Sequence, residues 1–155
     1  MKKLLGVLLF FLVGGFAFAQ TATDTDKYVE LMRADVRAQK VQILTKAMEF
    51  SVEESAAFWP VYDKYQQEFN KLGDQKVALI KDYAANFENL EDSKARELAE
   101  RALGLEEMRV SLLKKYYPEF GKVLSGKKVA RFLQVENQIN RLIDLQIASG
   151  IPLVQ

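Results

Sequence analysis

The chain contains neither cysteine nor histidine, so the chemistry open to it rests on carboxylates, amines, hydroxyls and aromatic rings. Thiol nucleophiles, the commonest general base, the usual zinc ligands and the side chain that changes charge near neutral pH are all missing together. Asp63, Glu68, Asp82, Glu106 and Glu107 supply carboxylates, but none stands in a ligand pattern such as the paired Glu-x-x-His of di-iron bundles, which needs histidine. The sequence holds no glycine-rich phosphate loop and no nucleophile paired with a base. The expectation is a protein that is not an enzyme, with no catalytic residues, no metal and no cofactor.

What remains is binding chemistry. Phe58, Trp59, Tyr62, Tyr65 and Phe69 concentrate aromatic rings in one stretch, offering large contact area at low side-chain entropy, as a client or partner surface requires. The competing use of these residues is a packed core. Trp59, off the Phe58–Tyr62–Tyr65–Phe69 stripe, and Tyr62, with its polar tip, fit an interface best. A basic cluster of Lys114, Lys115, Lys122, Lys127, Lys128 and Arg131 suits an acidic client or lipid headgroups, or else a solvated face that partly complements helix C-terminal carbonyls. Arg131, Gln134, Glu136, Asn137 and Arg141 give one flank of the last helix a polar character; a buried hydrogen-bonded network and a partner site are both open there.

The elements that must position these residues begin with a leader. Met1, Lys2 and Lys3 precede an apolar run from Leu4 to Val13, and Ala17-Phe18-Ala19 then offers small residues at the positions signal peptidase reads. The run is too short to span hydrocarbon, which takes roughly 20 apolar residues. Cleavage after Ala19 makes Gln20 the first mature residue, so no lipid anchor forms on a cysteine and no stable membrane insertion follows. The expected organisation is a signal peptide over 1–19 and a single helical domain over 20–155. Loss of Lys2 and Lys3 leaves acidic and basic residues nearly balanced, against a net charge of +1 for the whole chain, so charge alone attracts neither nucleic acid nor an anionic membrane.

Sparse prolines and glycines argue for helices over a sandwich with frequent turns. A first helix is expected from about Asp24 to Phe50, with Tyr28, Met32, Val36, Ile43, Ala47 and Phe50 on its apolar face and Leu31, Ala34, Ala38, Val41 and Met48 widening it. Ser51 and Glu54 form a capping box for a second helix, whose stripe runs Phe58, Tyr62, Tyr65, Phe69, Leu72, Leu79, Tyr83, Phe87, Leu90. Pro60 predicts a kink near 56–59 or a short turn. Asp92 or Ser93 is placed to cap a third helix with Ala95, Leu98, Ala102, Leu105, Leu112 and Tyr116 inward, flanked by Ala99, Leu103, Val110, Leu113 and Tyr117. Pro118 and Gly121 are expected to bend or fray its end. A fourth helix spans about Lys127 to Ala148, with Val129, Phe132, Val135, Ile139, Leu142 and Ile143 inward. The fold class is therefore all-α: four long helices in antiparallel hairpins, as an elongated bundle or a curved cradle. Wide stripes on the first and third helices suggest burial on two sides or a homodimer.

Phe50-Ser51-Val52-Glu53-Glu54-Ser55 and Leu124-Ser125-Gly126-Lys127-Lys128 repeat an apolar-hydroxyl opening. With Phe58-Trp59-Pro60-Val61-Tyr62 and Ala130-Arg131-Phe132-Leu133-Gln134-Val135-Glu136, they make roughly Ala38 to Val154 resemble the Spy/CpxP family of periplasmic helical chaperones and envelope-stress accessory proteins. The family's Leu-Thr-x-x-Gln glutamine is not kept here. The resemblance implies a periplasmic location, an often dimeric cradle, and partners that are unfolded protein clients shielded without ATP. The alternative it implies is a regulatory accessory bound to the periplasmic domain of a membrane stress sensor.

Overall fold

The computed structural model describes residues 36–154. The leader, with Ala17, Ala19 and Gln20, and the expected start of the first helix lie outside the described residues. Among the described residues the protein is all-α, with four helices and no strand. Helix α1 is described over 36–48. It is followed by α2 (Val52–Asn86), a 3₁₀ turn (Phe87–Asn89), α3 (Asp92–Val123) and α4 (Gly126–Ala148). Lys40–Gln155 forms one compact unit, to which everything below belongs; of the residues before it, 36–39 are described and are helical.

Cross-helix bonds fix the register. Glu68 meets Lys115 while Asp82 meets Lys94 and Arg101, so α2 and α3 run antiparallel. Glu54 meets Lys128, Tyr65 meets Glu136 and Lys76 meets Asp144, so α4 runs parallel to α2. Lys40 contacts Gln66, Glu136 and Asn140, which places residues 40–48 against both α2 and α4. At 1.5 Å per residue α2 is about 52 Å long, and its buried residues all lie in its first half: Phe58, Tyr62, Tyr65 and Gln66. The core is therefore concentrated where α1, α2, α3 and α4 come together, and the far end of the α2–α3 hairpin is thinly packed.

The core cluster joins Leu44 and Met48 to Phe58, Tyr62, Tyr65, Leu112, Tyr116, Phe120, Leu124, Val129 and Phe132. Rings dominate it. Phe120 and Phe132 lie 4.4 Å apart by centroid, and Phe58 stands 5.5 and 5.3 Å from them. Full burial of each such side chain contributes about 1.5–3 kcal/mol, which is how a chain without disulfides is held.

Local signals set the helix ends. Glu54 N–H donates to Ser51 Oγ at 3.2 Å and Ser51 N–H donates to Glu54 Oε2 at 2.9 Å, so the expected capping box forms and α2 starts there. Ser125 Oγ accepts from the Lys128 N–H and starts α4 at Gly126. Glu91, not Asp92 or Ser93, occupies the cap position of α3, and its side chain makes no capping bond; the Asp92 carboxylate instead accepts from Arg96.

Several other expectations are corrected. The short turn weighed as the alternative at Pro60 does not form, since α2 runs unbroken from Val52 to Asn86. Ala56 and Pro60 are both exposed. Pro118 is likewise exposed within α3, which continues to Val123. The buried face of α1 is Lys40, Leu44 and Met48, at i, i+4 and i+8; Met48 is inward as expected, whereas Ile43 is exposed and Phe50 lies beyond the helix. On α4, Leu142 is exposed and Glu136 and Asn140 are buried.

Candidate functional site

The aromatic residues expected on a binding surface lie mainly in the core. Phe58, Tyr62 and Tyr65 are buried, and Phe69 and Trp59 are half-buried against the same cluster. Trp59 meets Phe50, Phe58 and Tyr62 edge to face, and its Nε1–H donates to Ser55 Oγ at 3.0 Å. The stripe thus faces inward because three other helices meet it there, and Trp59 keeps only part of its ring at the surface.

Beside this core lies a buried polar cluster drawn from three helices. Lys40 Nζ donates to Glu136 Oε1 at 2.7 Å, Asn140 Oδ1 at 3.2 Å and Gln66 Oε1 at 3.4 Å. It also sits 4.9 Å from the centroid of the Phe69 ring, a cation–π distance. Glu136 Oε1 receives two further donors at 3.2 Å, Tyr65 OH and Asn140 Nδ2. Gln66 extends the network to Asn70 at 2.9 Å. Burial, then the Glu136 charge and the hydrogen bond to it, hold the Tyr65 phenol well above its ordinary pKa; it stays protonated as a donor. Glu136 has no solvent exposure, and its Oε2 has no hydrogen-bond partner. A buried charge pair of this kind offsets a large desolvation penalty only through close geometry and added hydrogen bonds. Here nearly all of that compensation falls on one carboxylate oxygen.

Of the polar flank of α4, Glu136 joins a buried network, whereas Arg131, Gln134 and Arg141 are exposed. Lys40, Gln66 and Asn140 carried no sequence signal of function. Their positions gave the only clue, since Lys40 precedes Leu44 and Met48 by four and eight residues, and Glu136 and Asn140 follow Phe132 at the same step.

In the basic cluster Lys114, Lys115, Lys122, Lys127 and Arg131 are exposed, and four of its six side chains are paired with carboxylates. Lys115 pairs with Glu68 at 2.7 Å and Lys122 with Glu119 at 2.7 Å. Lys128 bonds Glu54 and donates to the Glu49 carbonyl at 3.0 Å. Arg131 donates to the Ala47 carbonyl at 3.4 Å and faces Glu49 at 3.6 Å. Lys128 and Arg131 thereby serve the orphan carbonyls at the end of α1. Lys114 and Lys127 are exposed and have no partner among the described residues. The Lys128 and Ser51 bonds hold the Glu54 carboxyl below its ordinary range, and Lys115 with Tyr116 does the same for Glu68.

Apolar exposure lies elsewhere. Leu103, Val110 and Tyr117 recur every seven residues on the outer face of α3 and are 67, 45 and 55 % exposed. A second group, Leu142, Leu145, Leu153 and Val154, crowds the end of α4 and the tail. The tail itself is anchored by Tyr83 OH, which donates to the Pro152 carbonyl at 2.9 Å. No family model, no curated protein and no solved structure matches the chain. Among the described residues no group of acidic side chains is arranged to hold a metal ion, and no helix is long and apolar enough to cross a membrane.

Proposed function

We propose that the protein is an exported, chaperone-like binder of non-native or partner polypeptides in the cell envelope, working without catalysis, nucleotide, metal or cofactor. The observation that carries this reading is the row Leu103, Val110, Tyr117 on α3. Large apolar side chains sit there in water on one face of a rigid helix, while the rings that hold the fold together are enclosed. Each Å² of that face covered by a client contributes about 25 cal/mol, so binding is weak, additive and tolerant of client sequence. The leader and the resemblance to the Spy/CpxP family support the periplasm as the place of action.

The test is suppression of aggregation of a chemically unfolded client by the mature protein at near-stoichiometric amounts. The wild type is expected to suppress, and Leu103→Ser/Val110→Ser/Tyr117→Ser to lose most of that activity while keeping its helical spectrum. Equal suppression by both proteins, or none by the wild type, sinks the reading. Capture of a single membrane sensor domain in place of generic clients transfers it to the regulatory role.

A further inference from the structure

Residues 40–48 occupy the groove between α2 and α4 through three inward side chains, Lys40, Leu44 and Met48. The positions between them are half-buried or exposed. Three features describe how this stretch is held. One of its three anchors is a charge. Its link to α2 passes through Glu49 at φ 48°, a left-handed conformation that only glycine takes without steric penalty. Its terminal carbonyls are held by Lys128 and Arg131, side chains rooted on another helix.

The charged anchor is also an incomplete match. Lys40, Tyr65 and Asn140 all donate to Glu136 Oε1, leaving the enclosed Oε2 with no donor. An ammonium is a point donor, whereas a guanidinium presents parallel N–H groups that engage both oxygens of a carboxylate. The groove's own carboxylate therefore favours a better cation than the one now in it.

We propose that the α2–α4 groove is a receiving site for an amphipathic helix bearing arginine, with large apolar residues four and eight positions later, and that residues 40–48 fill it as a displaceable plug with a weaker lysine anchor. The partner's arginine bridges both oxygens of Glu136 beside Gln66 and Asn140, and its apolar pair takes the places of Leu44 and Met48 in the core with Phe58, Tyr62 and Phe132. This is a second site, distinct from the outer face of α3, because occupying it requires the plug to leave. Either site can fail without the other.

Hydrogen exchange on the full-length Lys40→Met chain tests the plug, and synthetic peptides matching residues 36–50 with Arg, Lys or Met at position 40 test the groove. Amides of 40–48 are expected to lose more protection than those of α2, α3 and α4, which fall only with the global stability. The Arg peptide is expected to bind this chain about tenfold more tightly than the Lys peptide, the scale of one charge-assisted hydrogen bond, and the Met peptide not measurably. Adding Glu136→Gln levels the ranking. A loss no greater at 40–48 than through α2 to α4, or protection unchanged at 40–48, overturns the plug; absent binding, or equal binding with Glu136 in place, overturns the groove. If Lys40→Met does not fold, Lys40→Arg decides alone: it slows exchange at 40–48 by giving Oε2 a donor, and faster exchange there refutes the assignment.

Discussion

Glu136 on α4 holds the ammonium of Lys40 at 2.7 Å across 96 positions of sequence, with both side chains sealed from solvent. A single replacement that removes one partner leaves the other charge buried and alone, which costs about 3–5 kcal/mol. Lys40→Met and Glu136→Gln are each expected to lower stability on that scale. The combination recovers most of the loss, because the amide introduced by Glu136→Gln still accepts from Tyr65 and no charge is stranded. Urea unfolding of the four proteins measures the coupling. Losses that simply add would show that the pair does not act as a unit.

The aromatic cluster yields a graded expectation. Phe58 and Phe132 are wholly enclosed and in mutual contact, so truncation of either to alanine removes about 3–5 kcal/mol through lost transfer energy and the cavity left behind. Trp59→Phe keeps most of the packing and forfeits the bond to Ser55, a loss of about 1 kcal/mol. Thermal unfolding followed by circular dichroism ranks them; a larger effect at Trp59 than at Phe58 would move the centre of the core.

Much of the fold was legible because long periodic stripes and local caps dominate it. Phe58, Tyr62 and Tyr65 recur at the helical step and are buried as a core stripe should be, and Ser51 with Glu54 reads directly as a helix start. The site was not legible, because the stripe argument counts apolar residues and the decisive inward positions are polar. Lys40, Gln66, Glu136 and Asn140 occupy core positions only by satisfying one another across three helices, a relation that no single window of sequence contains. The same omission turned the first helix by about one residue, so that Ile43 was placed inward instead of Leu44.

The basic residues around the α3–α4 junction separate into two kinds. Lys128 closes the end of α1 and bonds Glu54, so Lys128→Met is expected to destabilise by about 1 kcal/mol, within the range for a lost cap. Lys114 and Lys127 are exposed without partners among the described residues, and their replacement by methionine is expected to fall within about 0.5 kcal/mol of wild type. Equal effects from all three in denaturant unfolding would contradict the division.

The pH dependence follows from which groups are held away from their ordinary values. Glu54, Glu68, Asp82 and Glu97 are all lowered by lysine, arginine or hydrogen-bonded partners. The stability they contribute is complete above the ordinary carboxylate values, 4.5 for Glu and 3.8 for Asp, and is lost as pH falls through the depressed folded values. Tyr116 works in the opposite sense. Burial first, then the bond to Glu68, pushes its phenol from 10.0 up to about 12, so its contribution is full below pH 10 and disappears as pH rises to about 12. Stability is therefore expected to hold level between these limits and to fall at both ends. Asp82→Asn reduces the slope on the acid side and, because Asp82 also raises the Lys94 ammonium, part of it on the alkaline side, whereas Tyr116→Phe reduces it mainly on the alkaline side, with a smaller acid-side change through its lost bond to Glu68. Urea midpoints collected across the pH range test both, and an acid slope left unchanged by Asp82→Asn would assign the acid sensitivity to other carboxylates.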